Sequence, residues 1–212
     1  MFDFQIKICG ISNPSDAAKA IEFGADAIGL NFYPRSLRSV TIDKAKEICQ
    51  SMDETTTRVG VFVNESAETI NETSTSCELN YAQLHGDEST ELIDQISTKT
   101  IRAIRVSSFE SARKEIDHWV KHGIDAILLD AASGNQFGGT GKKIDWEKVA
   151  ELKTDVPLIL AGGLNSDNVS HAIATASPCA VDVASGIERF PGSKDVEQMR
   201  AFIDAAKAEF AR

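Results

Sequence analysis

No stretch of the 212-residue sequence comes near the roughly 20 consecutive apolar residues that a membrane-spanning helix needs. The opening residues, Met1 to Lys7, lack a basic patch followed by an apolar run, which argues against a secretory leader. Cysteine is scarce and dispersed. Cys9, Cys49, Cys77 and Cys179 show no C-x-x-C spacing, so neither a disulfide framework nor a zinc site is expected, and a reducing cytoplasm is the natural setting. Basic charge is in deficit: 22 Lys and Arg face 32 Asp and Glu, and the net charge of -10 argues against a nucleic-acid-binding surface. That deficit leaves small anions open as ligands, because backbone amides at a helix N-terminus hold a phosphate without any lysine. No linker, low-complexity segment or charge block divides the chain, so one domain over residues 1–212 is expected.

What is present is alternation. Composition is that of an ordinary globular protein, 42% hydrophobic and 25% charged. Short runs rich in Val, Ile and Leu at 4–9, 27–31, 58–63, 81–84, 101–106, 126–130, 158–161 and 180–184 read as strands. Their near-continuous apolar character fits a parallel sheet covered on both faces. Helical stretches lie between and after them, at 15–23, 42–52, 67–75, 89–96, 108–121, 146–152, 165–174 and 195–208. Eight repeated units point to a closed (β/α)8 barrel in preference to an open doubly wound sheet. Gly24 and Gly123, each just before a new strand, act as helix stops. The length is near the lower limit of about 200 residues for such a barrel.

In a barrel, chemistry gathers at the C-terminal ends of the strands. Cys9 ends the first strand and shares a side with Lys7 by the two-residue period. A cysteine taken alone is usually a small buried hydrophobe. Asp130 directly follows three large aliphatics, Ile127, Leu128 and Leu129, where packing gives a carboxylate little to do; turn capping is the competing role. Gly162 and Gly163 after strand seven, with Ser185 and Gly186 after strand eight, resemble a phosphate seat. The loop after strand two carries Arg35 and Arg38, either of which can fork onto a carboxylate or simply face solvent. His85, at the end of strand four, either lines a pocket or is a hydrogen-bonded rim residue. The glycines between 138 and 141 suit a cover or a close backbone approach to a ligand. His118, His122 and His171 read as surface residues, Trp119 and Trp146 as packing on the outside of the barrel, and Cys49, Cys77 and Cys179 as packing residues. Asp182 reads as half of an ion pair inside the barrel.

Taken together, Lys7-Ile8-Cys9-Gly10-Ile11, Phe32-Tyr33-Pro34-Arg35-Ser36, Gln83-Leu84-His85-Gly86, Leu129-Asp130, Ala161-Gly162-Gly163-Leu164 and the run from Val181 to Glu188 resemble the phosphoribosylanthranilate isomerase family. The resemblance runs in order from the first strand to the last helix. It implies an Amadori rearrangement of N-(5-phosphoribosyl)anthranilate, with Cys9 as general base, Asp130 as general acid and Arg38 on the anthranilate carboxylate. The implied ligand is a phosphorylated small molecule, with no metal and no cofactor. A monomer is expected over a homodimer. The acid must protonate the sugar ring oxygen and the base must take a proton from the second carbon, so the two groups need opposed environments at one pH. Lys7 is expected either to help the Cys9 thiolate or to pair with Asp182.

Two departures from the family pattern stand out: Asn31, where an apolar residue is usual, and Lys142-Lys143 before Ile144-Asp145, where Thr-Phe is commoner. The competing enzyme reading, indole-3-glycerol-phosphate synthase, would want a lysine–glutamate pair and a longer N-terminal extension. A barrel that only binds a sugar phosphate would tolerate loss of Cys9 and Asp130. A dual-substrate enzyme would carry a carboxylate in place of Cys9.

Overall fold

The computed structural model describes residues 2–131 and 144–212. Eight parallel strands follow one another around a closed barrel: β1 (Ile6–Cys9), β2 (Ala27–Asn31), β3 (Thr57–Phe62), β4 (Tyr81–Leu84), β5 (Lys99–Val106), β6 (Ala126–Ala131), β7 (Leu158–Leu160) and β8 (Ala180–Val183). Closure is made by β1 against β8, where Lys7 pairs with Asp182 and Ile8 with Val183. On the other side Lys7 pairs with Ala27 and Cys9 with Gly29 of β2. Outside run α1 (Pro14–Phe23), α2 (Ile42–Gln50), α3 (Ala67–Ser76), α4 (Phe109–Lys121), α5 (Trp146–Ala150), α6 (Val169–Ala176) and α7 (Val196–Phe210).

Local chemistry explains the boundaries. Asn13 caps α1 by accepting from the Asp16 amide, Pro14 opens the helix, and Gly24 closes it at φ 98°. Ser66, Ser108 and Asp195 cap α3, α4 and α7 in the same way. Gly123 follows α4 with φ 85°, as its place before β6 led one to expect.

The strand period sorts side chains into two cores. Ile6, Ile8, Ile28, Leu30, Phe62, Leu84 and Leu129 pack outward against the helices. Phe4, Ala27, Val59, Tyr81, Ile101, Leu128 and Ile159 fill the barrel itself. Its N-terminal end is plugged by Phe2, Phe4 and Tyr81, whose ring centroids lie 4.5 to 6.0 Å apart.

Two elements depart from expectation. The fourth helical stretch is a 3-10 helix, Thr90–Gln95, and not an α-helix. Glu88, just before it, is tied down by the Asn64 and Gly86 amides and by Arg102. Few residues are then left to return to β5, and a 3-10 turn rises about 2.0 Å per residue against about 1.5 Å for an α-helix. The second departure is a two-stranded antiparallel ribbon after β8, β9 (Glu188–Phe190) with β10 (Ser193–Lys194), which no periodicity announced. The expected glycine cover at 138–141 and the Lys142-Lys143 departure lie outside the described residues.

Candidate active site

Strand alternation puts Lys7 and Cys9 inside the barrel while Ile6 and Ile8 join the helix layer. Cys9 and Asp130 belong to the C-terminal ends of β1 and β6. Both line a cavity of about 730 Å³, counted out to its open mouth, together with Arg38, His85, Gly162, Gly163, Ser185 and Gly186. These eight residues thus meet in one place, whereas Arg35, the other arginine of the β2 loop, is exposed and does not line the cavity.

The floor of the cavity is polar. Lys7, fully buried, donates from Nζ to Asp182 Oδ1 at 2.9 Å and to Gln83 Oε1 at 2.8 Å. Burial opposes the ammonium, but Asp182 and Cys9 outweigh it and raise the Lys7 pKa above its ordinary value. The barrel-interior ion pair expected of Asp182 is present, and the same lysine also lies against the thiol. Cys9 feels opposite pulls. Burial pushes its pKa up, Lys7 pulls it down, Asp182 pushes it up again, and Lys194 and Arg38 pull it down; the net shift is upward.

Above the floor, Gln83 Nε2 lies 3.1 Å from His85 Nδ1. His85 Nε2 lies 3.5 Å from Asp130 Oδ2, near enough for electrostatic contact but not aligned as a hydrogen bond.

The loops after β7 and β8 form one surface. Gly162 and Gly163 have φ of 82° and 69°, in the left-handed region that glycine favours. A Cβ on Gly162 would collide with the Ala131 amide, and one on Gly186 with the Leu164 carbonyl oxygen. The two loops are therefore packed at a distance only glycine permits. Asn168 ties the first loop together, accepting from the Asn165 amide at 2.9 Å and donating to Gly163 O at 2.9 Å. Ser185 opens a 3-10 turn to Ile187 with no side chain capping its first amides.

Arg38 reaches the cavity with one edge of its guanidinium engaged. Nε and Nη2 donate to Glu188 Oε1 and Oε2 at 2.8 and 2.6 Å. Burial opposes the Glu188 carboxylate, yet Arg38 and Lys194 more than offset it and lower the pKa. Lys194, also buried, donates to Cys9 O at 2.6 Å, Ala184 O at 3.0 Å and Glu188 Oε1 at 3.0 Å. It clamps the ends of β1 and β8 to the ribbon. Sequence reading missed Lys194 and Gln83, since neither stands at the end of a strand the sequence announced or in a glycine-rich turn. Asn31 also lines the cavity, its Oδ1 accepting from the Tyr33 amide at 2.9 Å.

The remaining expectations fall outside the site. His118, His122 and His171 are exposed. Trp119 is buried beneath the Arg102 guanidinium, 4.6 Å from its ring, and Trp146 meets the His171 ring at 5.4 Å. Cys49 and Cys77 are buried packing residues as expected, but Cys179 is exposed. It precedes β8 at the N-terminal end of the barrel, before the chain enters the core.

A closed parallel barrel with a polar cavity at the C-terminal ends of its strands defines the class: a (β/α)8-barrel enzyme. Residues 6–205 match the family model described as N-(5'-phosphoribosyl)anthranilate isomerase, and the chain belongs to that family. The N-(5'-phosphoribosyl)anthranilate isomerase of Geobacter sulfurreducens is 43% identical over 203 residues, covering 96% of this chain and 98% of the relative. The crystal structure of phosphoribosyl anthranilate isomerase from Thermotoga maritima superposes with a TM-score of 0.89 at 39% identity, covering 97% of this chain and 99% of that one. A further structure of such an isomerase, at TM-score 0.84 and 37% identity with the same coverage, is a complex with reduced 1-(o-carboxyphenylamino)-1-deoxyribulose 5-phosphate.

Proposed function

We propose that Cys9 and Asp130 are the base and acid of the family's reaction, the Amadori rearrangement of N-(5-phosphoribosyl)anthranilate to 1-(2-carboxyphenylamino)-1-deoxyribulose 5-phosphate in tryptophan biosynthesis. The observation that carries this reading is that a thiol and a carboxyl share one cavity with a glycine-built seat for an anion. Asp130 gives its proton to the ring oxygen as the bond to the first sugar carbon breaks and the aniline nitrogen forms a protonated Schiff base. Cys9, as thiolate, takes the proton from the second carbon. The electron pair released makes an enolamine, which tautomerises to the ketone. Protons and electrons balance without a metal or cofactor.

The other residues have roles that fit the substrate's parts. Gly162, Gly163, Ser185 and Gly186 receive the phosphate through backbone amides. Glu188 occupies the Nε/Nη2 edge of Arg38, leaving the Nη1 edge for the anthranilate carboxylate. His85 faces the sugar. The chain works as a single catalytic domain and as a monomer, in the cytoplasm, without nucleic-acid or membrane partners. No helix among the described residues is long and apolar enough to cross a membrane. Large exposed apolar side chains among those residues are limited to Leu37, Ile42, Phe190 and Val196.

The decisive test follows the loss of substrate fluorescence with freshly generated phosphoribosylanthranilate. Cys9→Ala and Asp130→Asn should each lower kcat by about 10²- to 10⁴-fold while binding of the reduced product analogue survives. Turnover at the wild-type rate in either variant would defeat the reading.

A further inference from the structure

The direction of the hydrogen-bond chain beneath the cavity follows from elementary donor and acceptor rules. Lys7 Nζ, buried and paired with Asp182, is an ammonium with three donors and no acceptor. Gln83 must therefore turn its carbonyl oxygen to Lys7, at 2.8 Å. The flipped amide would set donor against donor in a buried site, leaving both unsatisfied. The Gln83 amide nitrogen then faces His85 Nδ1 at 3.1 Å, and an NH2 group can only donate. Nδ1 is thus a bare acceptor. A neutral imidazole carries a single proton, so that proton sits on Nε2. His85 Nε2 is buried, lacks a hydrogen-bond partner among the described residues, and lies 3.5 Å from Asp130 Oδ2.

We propose that Gln83 is a positioning residue for the rearrangement: held by Lys7, it locks His85 as the Nε2–H tautomer and so presents a fixed donor beside the Asp130 carboxyl. The use of that donor rests on the reading of Asp130 as the acid. Before proton transfer the carboxyl has no need of it. Once the proton moves to the ring oxygen, a carboxylate develops on the buried Asp130 side chain, and an N–H already oriented toward it stabilises that charge without reorganisation. A bond made only as charge develops lowers the barrier, whereas one already present in the resting enzyme would not. The 3.5 Å separation, close but unbonded, is the geometry expected of a contact that tightens during the reaction.

The test is a long-range proton–nitrogen NMR correlation on the full-length, nitrogen-15-labelled protein at mildly alkaline pH, where an ordinary imidazole is neutral. Its four histidines keep the spectrum simple, and the His85 signals are those missing in His85→Asn. The expected pattern is a protonated Nε2 and a bare Nδ1. In Gln83→Glu the carboxylate accepts from both Lys7 and the imidazole, so the proton should move to Nδ1, with kcat falling about 10- to 100-fold and KM nearly unchanged. His85→Gln, whose amide can place a donor near the Nε2 position, should retain more activity than His85→Asn; this comparison stands even where Gln83→Glu folds poorly. A wild-type proton on Nδ1, or a reversed tautomer in Gln83→Glu with kcat intact, would overturn the proposal. A confirmed tautomer in a wild-type protein without turnover would instead overturn the role given to Asp130.

Discussion

At Cys9 the opposing effects have a measurable consequence. Because burial and Asp182 outweigh the pull of Lys7, Lys194 and Arg38, the Cys9 thiol is pushed up and should carry less thiolate at neutral pH than a free cysteine. Alkylation of Cys9 by iodoacetamide should be slower at neutral pH than that of free cysteine, and should rise about tenfold per pH unit until the thiol titrates. The pH profile of kcat/KM should climb on the same limb, since it reports the free enzyme's base. A fast, pH-independent alkylation would mean that the cations win. Lys7 has a structural task as well: Lys7→Met strands Asp182 without its buried partner and should cost about 3–5 kcal/mol in urea unfolding. Cys9, Asp130 and the Lys7–Asp182 pair were legible in the sequence because strand ends and a two-residue period mark them. Lys194 was not, because it lies on a two-residue strand too short to carry a readable period.

Among elements, the loops after β7 and β8 show how glycine builds a binding surface by omission. In Gly186→Ala the new Cβ meets the Leu164 carbonyl oxygen, backbone that cannot yield as a side-chain tip would. The displaced seat should lower kcat/KM by on the order of 10- to 100-fold, mostly through KM. Steady-state kinetics check this, and an unchanged KM would remove the β8 loop from the phosphate site. The glycine pairs were visible as sequence, while their mutual contact was not. The helical stretch at 89–96 is a 3-10 helix, Thr90–Gln95, a distinction a short apolar pattern does not carry; the anchoring of Glu88 favours the tighter geometry. The β9–β10 ribbon escaped notice because strands this short carry no readable period.

For the whole molecule, groups buried in their neutral form set the alkaline limit of stability. Burial raises the Cys49 thiol from 9.0 to about 11, and Cys9, Cys77 and Tyr81 shift in the same direction. The folded state then keeps its proton where the unfolded chain has lost it. That contribution is complete below about pH 9 and disappears as pH rises through about 11. Tm should fall across this window, and Cys49→Ala should flatten the fall; a Tm that does not change there would contradict the burial of these groups. In sedimentation equilibrium the monomer proposed above should appear at 22.9 kDa, and a species of twice that mass would refute it.

By itself the sequence determined the barrel and the strand ends from which the site is built, because hydrophobic periodicity and helix capping act over a few residues and leave their mark locally. Tertiary structure alone decided the ionisation of Cys9, the company of Arg38 and the direction of the chain from Lys7 through Gln83 to His85. Those depend on burial and on charges brought together only when β1 closes against β8, and electrostatic energies are set by distance in space and not along the chain.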